Sequence, residues 1–278
     1  MPRQPLPHEG QPTADIPDHL SGSAMNDYLG CSLRYFLGRI LSLPQPVSAS
    51  LHLGKAVHAG LQAFHIARWR GTDASEEAVL QAYRGAFVSL EEESDDPVAY
   101  KEGEREKVHA KGEDILRAYL GDAHAQSPER TVGVEVGLRE RLVPEVPVDI
   151  LGYVDLVREV KNGGLAVCDF KTVASRPDTA LEAFRNEAQL TLYQTMVERA
   201  TGERVVRREI VFLTKHKQPL VIAHPMPPAD NAAKERVLAM MGAAWEGIRA
   251  GRWHPQPGMH CGWCAFRGPC ARWRGGVS

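Results

Sequence analysis

The chain has 278 residues, 43% of them hydrophobic and 24% charged, with a formal net charge of −2, an ordinary composition for a water-soluble globular protein. No apolar run approaches the roughly 20 residues needed to cross a bilayer. The balanced charge also excludes the bulk basic surface of many DNA-binding domains. A nucleic acid would have to be held by local patches. Arg204, Arg207, Arg208, Lys215 and Lys217 form one candidate, and Arg267, Arg272 and Arg274 another; the plain alternative for each is a solvated face.

Residues 1–20 are polar and Pro-rich with no apolar h-region, which predicts a disordered arm on a cytoplasmic protein rather than a signal peptide. A helix is expected from an N-cap at Ser23 to Gly30, a second from Ser32 to Arg39, and a third from Leu53 to Gly71, with Val57, Leu61 and Phe64 at helical spacing. Two more are expected over 75–93 and 98–125, broken near Asp96 and Pro97, with no strand in this region. After Pro128 the period changes. Residues 131–143, 148–160 and 165–173 read as three neighbouring strands, and Lys161-Asn162-Gly163-Gly164 as a hairpin turn. A helix over 184–201, strands over 204–214 and 220–223, and a helix over 230–250 follow. The expected fold is a mixed α/β core flanked by helices. It is divided into a helical lobe (21–127), the core (128–254) and a Cys-rich tail (255–278).

Two sets of residues carry chemistry. Cys261, Cys264 and Cys270 stand at C-x2-C-x5-C spacing, and Cys31 stands alone near the other end. Thiols stay reduced in the cytoplasm, so grouped cysteines there favour metal over cystine. Four thiolates suit zinc or a 4Fe–4S cluster, and C-x2-C is common to both. The second set lies on the strand LAVCDFKTV. Alternation puts Asp169 and Lys171 on one face and Cys168 and Phe170 on the other, Cys168 as a buried filler. Asp155, on the preceding strand, is close enough to share a hard divalent ion with Asp169. Taken alone, D-x-K reads more readily as a plain surface ion pair.

Gly54-Lys55-Ala56-Val57-His58, Gly152-Tyr153-Val154-Asp155, Asp169-Phe170-Lys171-Thr172 and Gln189-Leu190-Thr191-Leu192-Tyr193 occur in this order, with the split cysteines outside them. Together they resemble the RecB/AddB-type branch of the PD-(D/E)xK nucleases, and within it the iron–sulfur members, which include CRISPR-associated exonucleases. The resemblance runs from Ser21 to Cys270. It implies a restriction-endonuclease-like core with an N-terminal helical lobe and a C-terminal Cys-rich staple. It implies His58, Asp155, Asp169 and the Phe170 carbonyl as ligands for magnesium or manganese, zinc being the competing choice for a small tetrahedral shell. It implies Lys171 beside the scissile phosphate, and Gln189 and Tyr193 lining the nucleic-acid channel. It also implies a role for Glu135, in the first strand, either behind the metal ligands or on a second metal ion. The cysteines are implied to hold 4Fe–4S, with zinc the alternative. At Ser32 the chain departs from many relatives, which carry proline after the first cysteine.

The resemblance implies a DNA exonuclease acting on single strands or ends, in repair, recombination or CRISPR adaptation. Two alternatives stand beside it: a non-cleaving DNA-binding subunit of a helicase–nuclease complex, and a zinc-stabilised α/β protein with a fortuitous D-x-K. No P-loop is present, so unwinding would come from a helicase partner. A CRISPR-adaptation protein is the other implied partner, and a homo-oligomer, as in nuclease rings, stays open.

Overall fold

The computed structural model describes residues 17–94 and 96–275, so most of the arm expected over residues 1–20 lies outside the described residues. The elements in chain order are β1 (His19–Ser21), α1 (Gly22–Gly30), α2 (Ser32–Tyr35) with a π-helical turn (Phe36–Ile40), β2 (Val47–Ser48), α3 (Ala49–Arg70), α4 (Glu76–Glu92), β3 (Val98–Ala99) and α5 (Arg105–Leu120). They continue with β4 (Arg130–Glu140), β5 (Asp149–Glu159), β6 (Leu165–Val173), α6 (Thr179–Thr201), β7 (Val205–Thr214), β8 (Val221–Met226), α7 (Asn231–Arg249), a 3-10 turn (Met259–Trp263) and α8 (Arg267–Arg272).

Local chemistry sets several of these limits. Ser21 rather than Ser23 caps α1, its Oγ accepting the Ala24 N–H at 3.1 Å. Ser48 caps α3, which ends at Gly71 with the left-handed φ of 67° that glycine adopts without strain. The helix expected over 98–125 is shorter because Pro97 and Gly103, at φ 62°, precede it. Its expected first residues instead form β3, which pairs in parallel with β2. Two-residue strands have no alternation to read. The β5–β6 hairpin turns at Gly163 and Gly164, both at positive φ.

The described residues divide into two compact units, Pro46–Leu138 with Gly152–Asn231, and the remainder: residues to Gln45, Arg139–Leu151 and Ala232 onward. The segments 21–127 and 128–254 are thus each shared between units, whereas the Cys-rich tail falls within one.

In the first unit β5 and β6 are antiparallel, β6 and β7 parallel across the α6 connection, and β7 and β8 antiparallel, while β4 pairs with β5. The sheet is mixed and covered on both faces. Cys168, Phe170, Val211 and Leu213 pack with Val57, Leu61, Phe64, Tyr83 and Leu116 of α3, α4 and α5. Val167, Ile210 and Phe212 pack instead with Leu190, Tyr193 and Val197 of α6. β6 therefore alternates as its sequence implies. On β5 the alternation slips: Val154 belongs to the α6 cluster and Leu156 to the opposite one, so the pleat turns at Asp155.

In the second unit β1 pairs in parallel with Asp149–Leu151. Trp253, after α7, stacks on Phe36 at 5.0 Å between ring centroids and meets Tyr28 edge-on. The Tyr28 hydroxyl donates to the Arg252 carbonyl at 3.0 Å. These contacts join residues near the two ends of the described chain. No helix among the described residues is long and apolar enough to cross a membrane.

Candidate active site

The first unit carries the carboxylates. The Phe170 N–H donates to Asp155 Oδ2 at 2.7 Å, which fixes that carboxylate against β6. His58, on α3, brings Nδ1 to 3.7 Å from the same oxygen. Glu135 completes the group, one ligand atom from each of His58, Glu135 and Asp155 lying within 4.8 Å of the others. Glu135 reaches the group from a strained backbone, its φ of 47° lying in the left-handed region inside β4. For a residue with a Cβ that conformation costs on the order of 1 kcal/mol.

Asp169 and Lys171 lie beside them on the α6 side of the sheet. Lys171 donates to Asp169 Oδ1 at 3.1 Å and to Gln189 Oε1 at 3.3 Å. The Gln189 amide in turn donates to Asp169 Oδ1 at 3.3 Å and to the Tyr193 hydroxyl at 2.7 Å. Lys171 Nζ is also 2.8 Å from Asp169 Oδ2, so the ammonium pairs with both oxygens of that carboxylate. Gln189 is thus the clasp on the Asp169–Lys171 pair. Tyr193, buried at 8% exposure, stands behind it rather than facing solvent.

The electrostatics are those of a cation site. Burial, then the charge of Asp169, holds the Asp155 carboxyl well above the usual carboxylate range, against the Phe170 amide and with Glu135 adding to the rise. Burial and Asp169 also raise Glu135. Burial lowers His58, which keeps the imidazole neutral and able to bind a cation. Burial works against the Lys171 ammonium, but Asp169 outweighs it and the net shift is upward. His58, Glu135 and Asp155, with ligand atoms within 4.8 Å of one another, could hold a hard divalent ion. Asp169, expected as a ligand with Asp155, lies outside that group and is engaged by Lys171 and Gln189.

Two glycines set the close packing. A Cβ on Gly54 would lie 3.0 Å from Thr172 Oγ1, and one on Gly152 would lie 2.9 Å from Met196 Sδ and 3.4 Å from the Tyr193 ring. Gly54 seats α3 on β6, and Gly152 seats α6 on β5.

The cavity above these groups has a volume of about 970 Å³ and is also lined by Ser48, Ser50, Lys55, Gln62 and Lys215. Of the basic patch expected around β7, only Lys215 faces it. Arg207 is paired with Glu129 at 2.9 Å, and buried Arg208 donates to Thr191 Oγ1 at 2.7 Å. Lys55 was carried within the G-K-A-V-H motif without a role; only the cavity shows what it faces.

Cys168 is buried and its thiol is raised by burial. His124 and Glu209 lie around it, but Arg158 and Arg207 already balance the Glu209 charge, so a dication there would be uncompensated. Cys31, Cys261, Cys264 and Cys270 line a separate cavity of about 70 Å³ with Leu33, Leu37 and Phe266. Burial and then the other three cysteines raise the Cys270 thiol.

A model of the PD-(D/E)XK nuclease superfamily matches residues 19–271. The chain belongs to this superfamily. The mixed sheet flanked by helices is its restriction-endonuclease-like fold. Among solved structures, a Eubacterium rectale protein described as a "putative exonuclease" is 16% identical, with 94% of this chain and 90% of that one covered and a TM-score of 0.58. A second, SSO0001, is also 16% identical over 84% of this chain and 91% of that one, but its TM-score of 0.37 is too low to carry a likeness of fold. No curated protein matches the chain.

Proposed function

We propose that the protein is a divalent-metal-dependent deoxyribonuclease of exonuclease type, acting on single-stranded DNA or DNA ends. The observation that carries this is the His58–Glu135–Asp155 group, its ligand atoms within 4.8 Å of one another, beside the buried Asp169 carboxylate that pairs with Lys171. A bound magnesium or manganese ion supplies Lewis acidity to the phosphodiester and lowers the pKa of water. The chain's own residues do the rest. The Phe170 amide orients Asp155, Gln189 locks Lys171 against Asp169, and the Lys171 ammonium offsets charge growing on the scissile phosphate. Neutral His58 contributes a nitrogen lone pair.

The four cysteines line one cavity, and the resemblance to the iron–sulfur nucleases supports a 4Fe–4S cluster there, with zinc the alternative. The cluster would be structural, closing Cys31 against the tail. A helicase or CRISPR-adaptation partner fits this activity, in a cytoplasmic setting of repair, recombination or adaptation, and self-assembly fits it equally.

Anaerobic purification with iron and zinc counts, a visible spectrum and digestion of labelled single-stranded DNA with manganese tests both sites. The expected result is a brown protein whose cutting requires metal and is lost in Lys171→Ala. A colourless zinc protein that leaves DNA intact would overturn both readings. A brown protein that binds DNA without cutting it would make the chain a binding subunit.

A further inference from the structure

The cavity that holds the His58–Asp155 group also contains two cations that no carboxylate answers. Lys215 Nζ bonds only to Ser50, through its Oγ and, at 3.5 Å, its carbonyl oxygen. Lys55 is exposed on α3, and neither lysine has an ion pair among the described residues. Burial depresses the Lys215 ammonium, with no opposing charge to restore it. Of the cavity's carboxylates, Glu135 and Asp155 belong to the metal group and Glu93 alone stands apart.

Two independent rulers place these cations. Lys171 faces Phe212 in the β6–β7 register, and the Lys215 N–H continues that pairing to the Val173 carbonyl at 2.9 Å. Lys215, just past the end of β7, is therefore three residues beyond the level of Lys171, roughly 10 Å along the strands, and this odd offset turns it to the α3 side, where it meets Ser50 while both lysines still line the cavity. Along α3, Ser50 precedes His58 by eight residues, roughly 12 Å of helix. Leu51, Lys55, His58 and Gln62 share the helix face that floors the cavity, so Lys55 lies between the two ends. Gly54, against Thr172, lets that face approach β6.

We infer that Lys215, steadied by Ser50, and Lys55 form a second phosphate subsite, which takes a neighbouring phosphate of the strand whose scissile phosphate lies at Lys171. The inference rests on the nuclease reading above and deepens it. Both lysines are positioning residues: they set how far the strand is drawn along the cavity and take no part in bond breaking.

The test compares the wild type with Lys55→Ala, Lys215→Ala and Lys215→Arg on a fluorescein-labelled single-stranded oligonucleotide. Cleavage is followed in manganese, and binding by anisotropy in calcium across a salt series. Lys215→Ala should raise KM roughly tenfold or more, the scale of a lost charged hydrogen bond, while kcat stays the same. The slope of log K against log salt should fall by about 0.7 for each lysine removed. Lys215→Arg should restore both. In oligonucleotides carrying one methylphosphonate, the Lys215→Ala penalty should vanish at a single position, where the phosphate it meets is already neutral.

Wild-type affinity and salt slope in Lys55→Ala and Lys215→Ala would overturn the subsite while leaving the nuclease standing. So would a penalty equal at every methylphosphonate position, the mark of a structural role. If the wild type cuts nothing, the nuclease reading fails, and the salt slopes in calcium still decide the subsite. Exposed Lys55 keeps the test open should Lys215→Ala fail to fold.

Discussion

The backbone N–H of Phe170 donates to Asp155 Oδ2 at 2.7 Å, so a main-chain group of one strand holds the carboxylate of its neighbour in place. Asparagine at 155 keeps an oxygen for that bond and removes the charge. The native carboxylate is buried beside Asp169 and Glu135, so it is tolerated for function rather than for stability. Asp155→Asn should abolish cleavage, yet raise the metal-free protein's stability by about 1 kcal/mol. It should also lose most of the gain in Tm that manganese gives the wild type. Thermal unfolding in EDTA and in manganese checks this; a lower Tm in EDTA with the manganese gain intact would count against Asp155 as a ligand.

Gly54 and Thr172 make a second linked pair, because an alanine Cβ at 54 would come within 3.0 Å of Thr172 Oγ1. Gly54→Ala should shift α3, and with it His58, and reduce kcat by roughly tenfold or more, since small misplacements in an active site are costly. Removing the hydroxyl relieves the contact. The double variant Gly54→Ala/Thr172→Ala should recover activity and gain up to about 1 kcal/mol from the better helix former. A double variant no more active than the single one would place the effect elsewhere.

The pairing of Asp155 with Asp169 was legible in the sequence because strand alternation and the hairpin at Gly163 and Gly164 are local. β6 occupies the expected residues, Leu165–Val173. The kink that aims Glu135 was not legible: nothing in the residue type announces a positive φ inside a strand. Lys215 is indistinguishable in sequence from its neighbours Arg207 and Arg208, which tertiary contacts engage with Glu129 and Thr191. α6 begins at Thr179, capped by Asp178, five residues before the expected start, because its first turn is exposed and follows no apolar period. Joining Cys31 to the tail required contacts more than two hundred residues apart, which spacing alone cannot supply.

His65 gives the fold a defined response to acid. It is 2% exposed, bonds through Nε2 to the Tyr119 hydroxyl at 2.7 Å and stacks on Phe170. Burial, with Arg158 and His124 adding to it, holds its pKa well below the ordinary 6.5. The unfolded chain therefore takes up a proton that the folded chain refuses. This contribution to stability is present above pH 6.5 and is lost as pH falls, by up to about 1.4 kcal/mol per unit. His65→Phe keeps a ring against Phe170, and Tyr119 keeps His124 Nδ1 at 2.9 Å as a partner. The variant should lose Tm less steeply than the wild type between about pH 6.5 and 5, and parallel profiles would show that His65 is not the group responsible.

Ser32 stands where the family resemblance leads one to expect proline, and the structure shows what serine does there. It is fully buried; its N–H donates to Gln256 Oε1 at 2.8 Å, its Oγ donates to the His254 carbonyl at 3.1 Å and accepts the His254 N–H at 2.9 Å. Gln256 in turn donates to the Leu29 carbonyl at 3.1 Å. This closes the unit beside Cys31 with hydrogen bonds in addition to any cluster. Proline would be acceptable to the backbone: Ser32 is the first residue of α2, and Cys31 is already extended at φ −166°, ψ 102°. Its cost would come from the lost bonds. Ser32→Ala, which keeps the N–H but leaves the His254 groups unanswered, should lose about 1–3 kcal/mol, and Ser32→Pro more. No cysteine changes in either variant, so a lowered Tm at a metal content equal to the wild type's is the expected signature. A Ser32→Pro protein as stable as the wild type would show that closure of the chain ends depends on the metal and the Trp253 packing alone.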